Sequence, residues 1–180
     1  MSDASDRSER IGLVQVYTGD GKGKTTAALG LALRAAGHGL RTYIGQFMKG
    51  QKYGELVALR SHPHITLVQY GDVAFLRRED VRPEHVAQAE RGLDAARRAM
   101  HSGEYAIVVL DEVNMAVWFG LLSEAQLHGF LDERPADVEV ILTGRRAPQS
   151  IIDRADLVTE MREVKHYYAR GIGARVGIER

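Results

Sequence analysis

The sequence predicts an α/β protein, a three-layer sandwich built on a mostly parallel sheet of about six strands. Three observations carry this expectation. Short runs rich in β-branched and aromatic residues alternate with helix-forming stretches along the whole chain. One such run, Tyr105-Ala106-Ile107-Val108-Val109-Leu110, is too continuously apolar for a half-exposed strand and reads as buried on both faces. A glycine-rich turn also joins the first strand to the first helix, the junction expected of a βα unit.

Each element has its own local reason. Leu13-Val14-Gln15-Val16-Tyr17 is β-rich, and residues 25–36 form an alanine- and leucine-rich helical stretch that Gly37 and Gly39 stop. Residues 41–48 read as a second strand. A loop with Lys49, Gly50, Lys52 and Gly54 follows, then a short helix near residues 55–60 and a third strand over residues 65–70. His62-Pro63-His64 reads as a surface turn, since two histidines without a nearby third ligand do not complete a metal site. Pro83 suits a first helical turn, and Val86, Ala89, Leu93, Ala96 and Met100 then recur at three- and four-residue spacing, one apolar stripe that Gly103 ends. The apolar fourth strand runs into Asp111-Glu112. Ser123 caps a helix towards Glu133, residues 138–143 form a fifth strand, Pro148 opens a short helix, and residues 157–161 read as a sixth strand.

At 180 residues the chain suits a single domain over residues 11–180. Such a domain buries roughly 70% of its unfolded surface and needs no covalent staples. Residues 1–10 are polar and charged and read as a mobile tail, one able to order over a ligand or a neighbouring subunit. With 24 basic and 24 acidic side chains the formal charge is zero, which gives no global attraction to nucleic acid or an anionic membrane. Anion binding must therefore be local. The absence of cysteine excludes disulfides and thiolate metal sites, and with no apolar run long enough to cross a bilayer the expectation is a soluble cytoplasmic protein.

The local anion site is the run Thr18-Gly19-Asp20-Gly21-Lys22-Gly23-Lys24-Thr25-Thr26. Three glycines let the backbone curl around one anion, Lys24 adds a mobile positive charge, and the Thr25 hydroxyl can ligate Mg²⁺. This is the chemistry of a phosphate-binding loop for a nucleoside triphosphate. The strict pattern wants glycine where this chain has Thr18, with the glycine displaced to Gly19, but strand, glycine turn and helix follow in the required order. Asp111 and Glu112, at the end of the buried strand, are the acids that would support the metal, and either can supply it. A second acid can also orient water, so Glu112 does not separate hydrolysis from transfer. Lys22 and Arg145 are further phosphate-contact candidates. In an open parallel sheet the loop at Gly19, the acidic pair and the segment after Tyr70 all emerge at one edge.

Taken together, residues 16–27, Gln46-Phe47-Met48-Lys49-Gly50, Leu110-Asp111-Glu112-Val113-Asn114, Leu142-Thr143-Gly144-Arg145, residues 155–161, Val164-Lys165-His166 and Gly177-Ile178-Glu179 resemble the P-loop type ATP:corrinoid adenosyltransferases. The resemblance covers nearly everything from Gly12 to Glu179. It implies a RecA-like nucleotide-binding fold and transfer of the 5′-deoxyadenosyl group of ATP to the cobalt of a reduced corrinoid, with triphosphate as the other product. It implies catalytic roles for Lys24 and Glu112, nucleotide contacts from Gly19 through Thr26 and from Arg145, and a Mg²⁺ site at Thr25, Asp111 and Glu112. It also implies a homodimer and an electron donor such as a flavoprotein. Phe75, in the segment after the third strand, takes the place of a phenylalanine that crowds the corrin face. The chain departs from the family pattern at three points: Asp20 stands where many members have asparagine, no tryptophan follows Phe75, and Tyr167 replaces a proline common after the lysine–histidine pair. From the residues alone, a P-loop ATPase or kinase and a non-catalytic nucleotide-gated corrinoid carrier stay open beside the transferase.

Overall fold

The computed structural model describes residues 10–72 and 78–179. Phe75 and residues 1–9 of the expected tail lie outside the described residues. Within them the strands are β1 (Val14–Thr18), β2 (Thr42–Phe47), β3 (Ile65–Tyr70), β4 (Ile107–Asp111), β5 (Glu139–Thr143) and β6 (Leu157–Glu160). The helices are α1 (Lys24–Ala36), α2 (Gly54–Leu59), α3 (Pro83–His101), α4 (Val113–Trp118), α5 (Glu124–Asp132) and α6 (Gln149–Arg154). The six strands form one sheet in the order β3-β2-β4-β5-β1-β6. Every pairing is parallel, so the expected mostly parallel sheet is wholly so among the described residues.

Parallel neighbours need crossovers, and crossover handedness decides which face each helix covers. The connections through α1 and α2 step towards the β3 edge, and those helices pack on one face. The connections through α3, α4–α5 and α6 step back towards the β6 edge and pack on the other. The two sides of the sheet accordingly form two cores. On the first, Ala28, Ala32 and Ala35 of α1 meet Ile44, Ile107, Val109 and Ile141; the small side chains at helical spacing let α1 sit close to the strands. On the second, Leu93, Ala96 and Met100 of α3 and Leu127, Phe130 and Leu131 of α5 cover Val108, Leu110, Val140 and Leu142. Residues 107–110 of β4 alternate between these cores and are all buried, which is why they read as an unbroken apolar run.

Local signals hold where they rest on side-chain chemistry. The Ser123 hydroxyl accepts the Gln126 N–H at 3.1 Å, and Gln126 Oε1 accepts the Ser123 N–H at 2.8 Å, a reciprocal capping box at the start of α5. The His62–His64 segment is a turn in which His62 Nδ1 accepts the His64 N–H. The structure adds α4, six residues directly after the acidic pair and too short to show a helical period in the sequence.

Candidate functional site

The site sits where β1, β2, β4 and β5 end. β1 runs through Thr18, and the turn begins at Gly19, with φ +89°, and closes at Gly23, with φ +125°. Both angles favour glycine, and Thr18, which stands where the strict pattern has glycine, is the last residue of β1. Gly23 precedes α1 without a capping side chain, leaving the first-turn amides of a 13-residue helix to an external anion. One loop amide is already engaged: the Gly21 N–H donates to the Met161 carbonyl at 2.6 Å, bracing the turn on the segment after β6. Lys24 is buried and folds back on the turn, its Nζ donating to the carbonyls of Gly19 and Gly21 at 2.7 Å each. Burial pulls its pKa below the ordinary lysine value, against the opposing charge of Glu112.

Asp111 anchors the other half. Its Oδ1 accepts from the hydroxyls of Thr25 at 2.8 Å and Thr143 at 2.7 Å, and its Oδ2 from Gln46 Nε2 at 3.1 Å and Lys49 Nζ at 2.8 Å. Four donors on a fully buried carboxylate offset the loss of water. Glu112 follows in the left-handed region, φ 61°, as the first cap of α4, and its N–H donates to Thr143 Oγ1 at 2.9 Å. Burial and the adjacent Asp111 charge push its carboxyl above the usual range, against the pull of Lys49, Lys24 and Arg145.

These groups border a cleft of about 490 Å³. Of the residues expected from sequence, Asp20, Gly21, Lys22, Gly23, Lys24, Thr25, Thr26, Glu112 and Arg145 line it. Gly19 and Asp111 stand behind it, linked through Lys24 and Thr25. Arg145 Nε lies 3.9 Å from Asp20 Oδ1, so the acid at position 20 faces a guanidinium across the mouth. Lys22 is turned towards the C-terminal segment, donating to the Ile178 carbonyl at 3.1 Å and pairing with Glu179 at 3.5 Å.

Sequence reasoning gave no role to Lys49, Gln46, Thr143 or Tyr53. A signal exists for the first two: Lys49 lies just beyond a strand end on the ligand edge, and Gln46 is a polar residue inside an apolar strand. Thr143 has none, because threonine is an ordinary strand residue. A second cavity of about 350 Å³ shares Lys49, Tyr53, Glu112 and Arg145 with the first and adds the apolar walls of Phe47, Met48, Met115 and Phe119. Asp72 joins it from the segment after β3, held at 3.0 Å by Nε2 of the buried His85. Trp118 lines neither cavity; the guanidiniums of Arg78 and Arg146 lie 4.8 and 4.7 Å from its ring centre.

A wholly parallel sheet carrying a glycine turn, a lysine and a helix N-terminus beside a buried acid defines a protein of the P-loop class. Residues 10–180 match the family described as ATP:corrinoid adenosyltransferase BtuR/CobO/CobP. A corrinoid adenosyltransferase of Pseudomonas aeruginosa is 36% identical over 98% of this chain and 87% of its own, and one of Escherichia coli K12 is 37% identical over 98% and 89%. An uncharacterized protein of Nostoc sp. PCC 7120 is 41% identical over 91% of this chain, which spans 47% of that longer relative. The chain belongs to the ATP:corrinoid adenosyltransferase family, a family of transferase enzymes whose substrates are ATP and a corrinoid. No helix among the described residues is long and apolar enough to cross a membrane.

Proposed function

We propose that this protein transfers the 5′-deoxyadenosyl group of Mg-ATP to the Co(I) centre of a reduced corrinoid, releasing triphosphate. The observation that carries the reading is the shared wall. A polar cleft with a phosphate-binding loop opens beside a largely apolar cavity, and Lys49, Tyr53, Glu112 and Arg145 belong to both. A nucleotide held by its phosphates in the first cleft can present its sugar to a macrocycle resting against Met48, Met115 and Phe119.

The cobalt of the substrate brings its own electron pair. That pair forms the bond to C5′ while the C5′–O bond breaks, and the triphosphate departs with the bonding electrons. The tasks left to the protein are positioning and stabilisation of charge on the leaving group. Lys24 is suited to the second, since its ammonium now satisfies loop carbonyls and can exchange them for phosphate oxygens. Lys22 and Arg145 add positive charge at the mouth.

The residues also fit a divalent cation. Among the described residues no three His, Cys, Asp or Glu side chains converge as a metal site. Thr25, Asp111 and Glu112 offer one hydroxyl and two carboxylates, a partial oxygen set that the nucleotide's phosphates would complete, as Mg²⁺ sites on nucleotides require. Such an ion would supply charge neutralisation on the triphosphate. The reading includes a homodimer and an external electron donor such as a flavoprotein.

The test is a product assay. Protein, Mg-ATP and a chemically reduced cobalamin should yield a light-sensitive Co–C product and one triphosphate per corrinoid, and Lys24→Ala should lower affinity for the triphosphate about 10- to 100-fold, the range for a charged hydrogen bond. Corrinoid-independent formation of ADP and phosphate would instead identify an ATPase.

A further inference from the structure

Lys49 stands where a cation is wanted. Its Nζ lies 2.8 Å from Asp111 Oδ2 and 3.3 Å from Thr25 Oγ1, two of the oxygens assigned above to the metal. The Thr25 hydroxyl gives its only proton to Asp111 Oδ1, so what it offers a cation is its lone pairs, and one of these now faces Lys49. The side chain is 17% exposed, at the seam between the two cavities. Without this ammonium the buried Asp111 carboxylate would lose its direct ion-pair partner, and the charge of the adjacent Glu112, which Lys49 also attracts, would be left to Lys24 and Arg145.

We propose that Lys49 is a positioning residue that holds the metal's place in the nucleotide-free protein and gives it up when the divalent ion arrives with the triphosphate. A divalent ion and an ammonium cannot share Asp111 Oδ2 and Thr25 Oγ1 at these distances, so metal uptake requires Lys49 to swing away. A landing place is built into the same wall. The Tyr53 ring lies 5.6 Å from Nζ, and the Glu55 carboxylate, which already attracts Lys49, borders the same cleft. Metal binding then depends on nucleotide, because the phosphates supply the charge that lets the ion compete with Lys49. The free protein is thereby kept from filling its site with metal alone, so that the ion carried by the incoming triphosphate does not meet a second divalent cation there.

This inference rests on Thr25, Asp111 and Glu112 being the cation site, and the experiment separates the two. Mn²⁺ binding is followed by electron paramagnetic resonance on the whole protein with and without a non-hydrolysable ATP analogue. The wild type should bind Mn²⁺ tightly only with the analogue; no protein-bound Mn²⁺ in its presence overturns the cation-site reading itself, and equally tight binding in its absence overturns the role of Lys49. Lys49→Gln, which keeps a donor for Asp111 but removes the charge, should bind Mn²⁺ without nucleotide about tenfold more tightly than wild type, whereas Lys49→Arg should not. Unchanged or weaker nucleotide-free binding in Lys49→Gln overturns the role of Lys49 while leaving the cation site standing. The unmutated protein provides a check that needs no neutral variant to fold. With ¹⁵N-labelled lysine, the slowly exchanging Nζ signal missing from Lys49→Arg should shift or vanish when Mg²⁺ and the analogue are added. A signal that stays in place with both ligands bound overturns the proposal.

Discussion

Glu112 works against the stability of the free protein in two ways. Its left-handed backbone, φ 61°, costs a residue with a Cβ about 1 kcal/mol or more. Its carboxyl is also held above the ordinary value of 4.5 by burial and by Asp111. A carboxyl with a raised folded-state pKa contributes stability below its unfolded value and loses that contribution as pH rises through the folded one. Above its folded-state value the ionised Glu112 is therefore a burden that a neutral side chain of the same shape lacks. Glu112→Gln should melt a little higher than wild type at pH 7 without ligands, and the advantage should fade below pH 4.5. The same change should raise the Mg²⁺ concentration needed for transfer about 10- to 100-fold, the usual effect of disturbing a metal's supporting groups. Equal melting at pH 7 together with a wild-type magnesium titration would remove Glu112 from the site. Part of this was legible in the sequence: an acidic pair ending an apolar strand announces itself, and so does a glycine-rich turn. What stayed hidden was the division of labour. Asp111 is fully buried and in the nucleotide-free protein accepts from Thr25, Thr143, Gln46 and Lys49, whereas Glu112 is the acid that lines the cleft, and that asymmetry comes from a backbone turn at φ 61° that no spacing encodes.

At the scale of elements, two helical glycines show how packing overrides propensity. Gly30 is exposed on α1, and a Cβ there meets nothing within 4 Å. Gly30→Ala should add about 1 kcal/mol of helix propensity and raise the melting temperature by about 2–4 °C. Gly92 is buried on α3, and its Cβ would stand 2.9 Å from Tyr70 Cγ and 3.0 Å from Phe47 Cε1. Those rings end β3 and β2 and cannot retreat without moving the ligand edge, so Gly92→Ala should destabilise despite the same gain in propensity, overpacking costing about 1–3 kcal/mol. Thermal melts of the two variants decide it, and a stabilised Gly92→Ala would mean that α3 is free to shift. The sequence marked α3 through its apolar stripe but not the reason for the glycine within it, which lies in a contact 22 residues away with Tyr70. Strand β6 shows the converse. Its four residues are exposed, Leu157 and Val158 at 43% and 41%, so it read as a strand from composition and pairs with β1 at the sheet edge without a buried face to fix it. Helix α4 escaped detection because six residues hold too little of a helical period.

At the scale of the whole molecule, the glycine-rich loop is joined across the cleft to the segment that holds Ile178 and Glu179. Lys22 in the first loop bonds the Ile178 carbonyl 156 residues later, and His166, Gly177, Ile178 and Glu179 wall the cleft opposite the glycine turn. Glu179 is the knot of that segment: it accepts from the Tyr167 hydroxyl, from the Arg175 amide at 2.9 Å and from its guanidinium, and pairs with Lys22 at 3.5 Å. The hydrogen bonds from Tyr167 and Arg175 bring its carboxyl down to about 2. For a depressed carboxyl the contribution is present above the unfolded value and is lost only as pH falls through the folded one, so mild acid will not undo the knot. The segment is almost entirely exposed and adds little to either core. Its contribution should therefore appear in binding rather than in folding. Glu179→Gln should loosen this segment locally and leave the melting temperature of the free protein within about 1 °C, because no residue of the segment joins either core. It should weaken nucleotide binding about three- to tenfold, most visibly at low salt, where exposed charges are least screened. Calorimetric titration of an ATP analogue at two ionic strengths, beside a thermal melt, measures both. A large drop in melting temperature with unchanged nucleotide affinity would make the C-terminal segment a strap for the fold instead of a wall of the site.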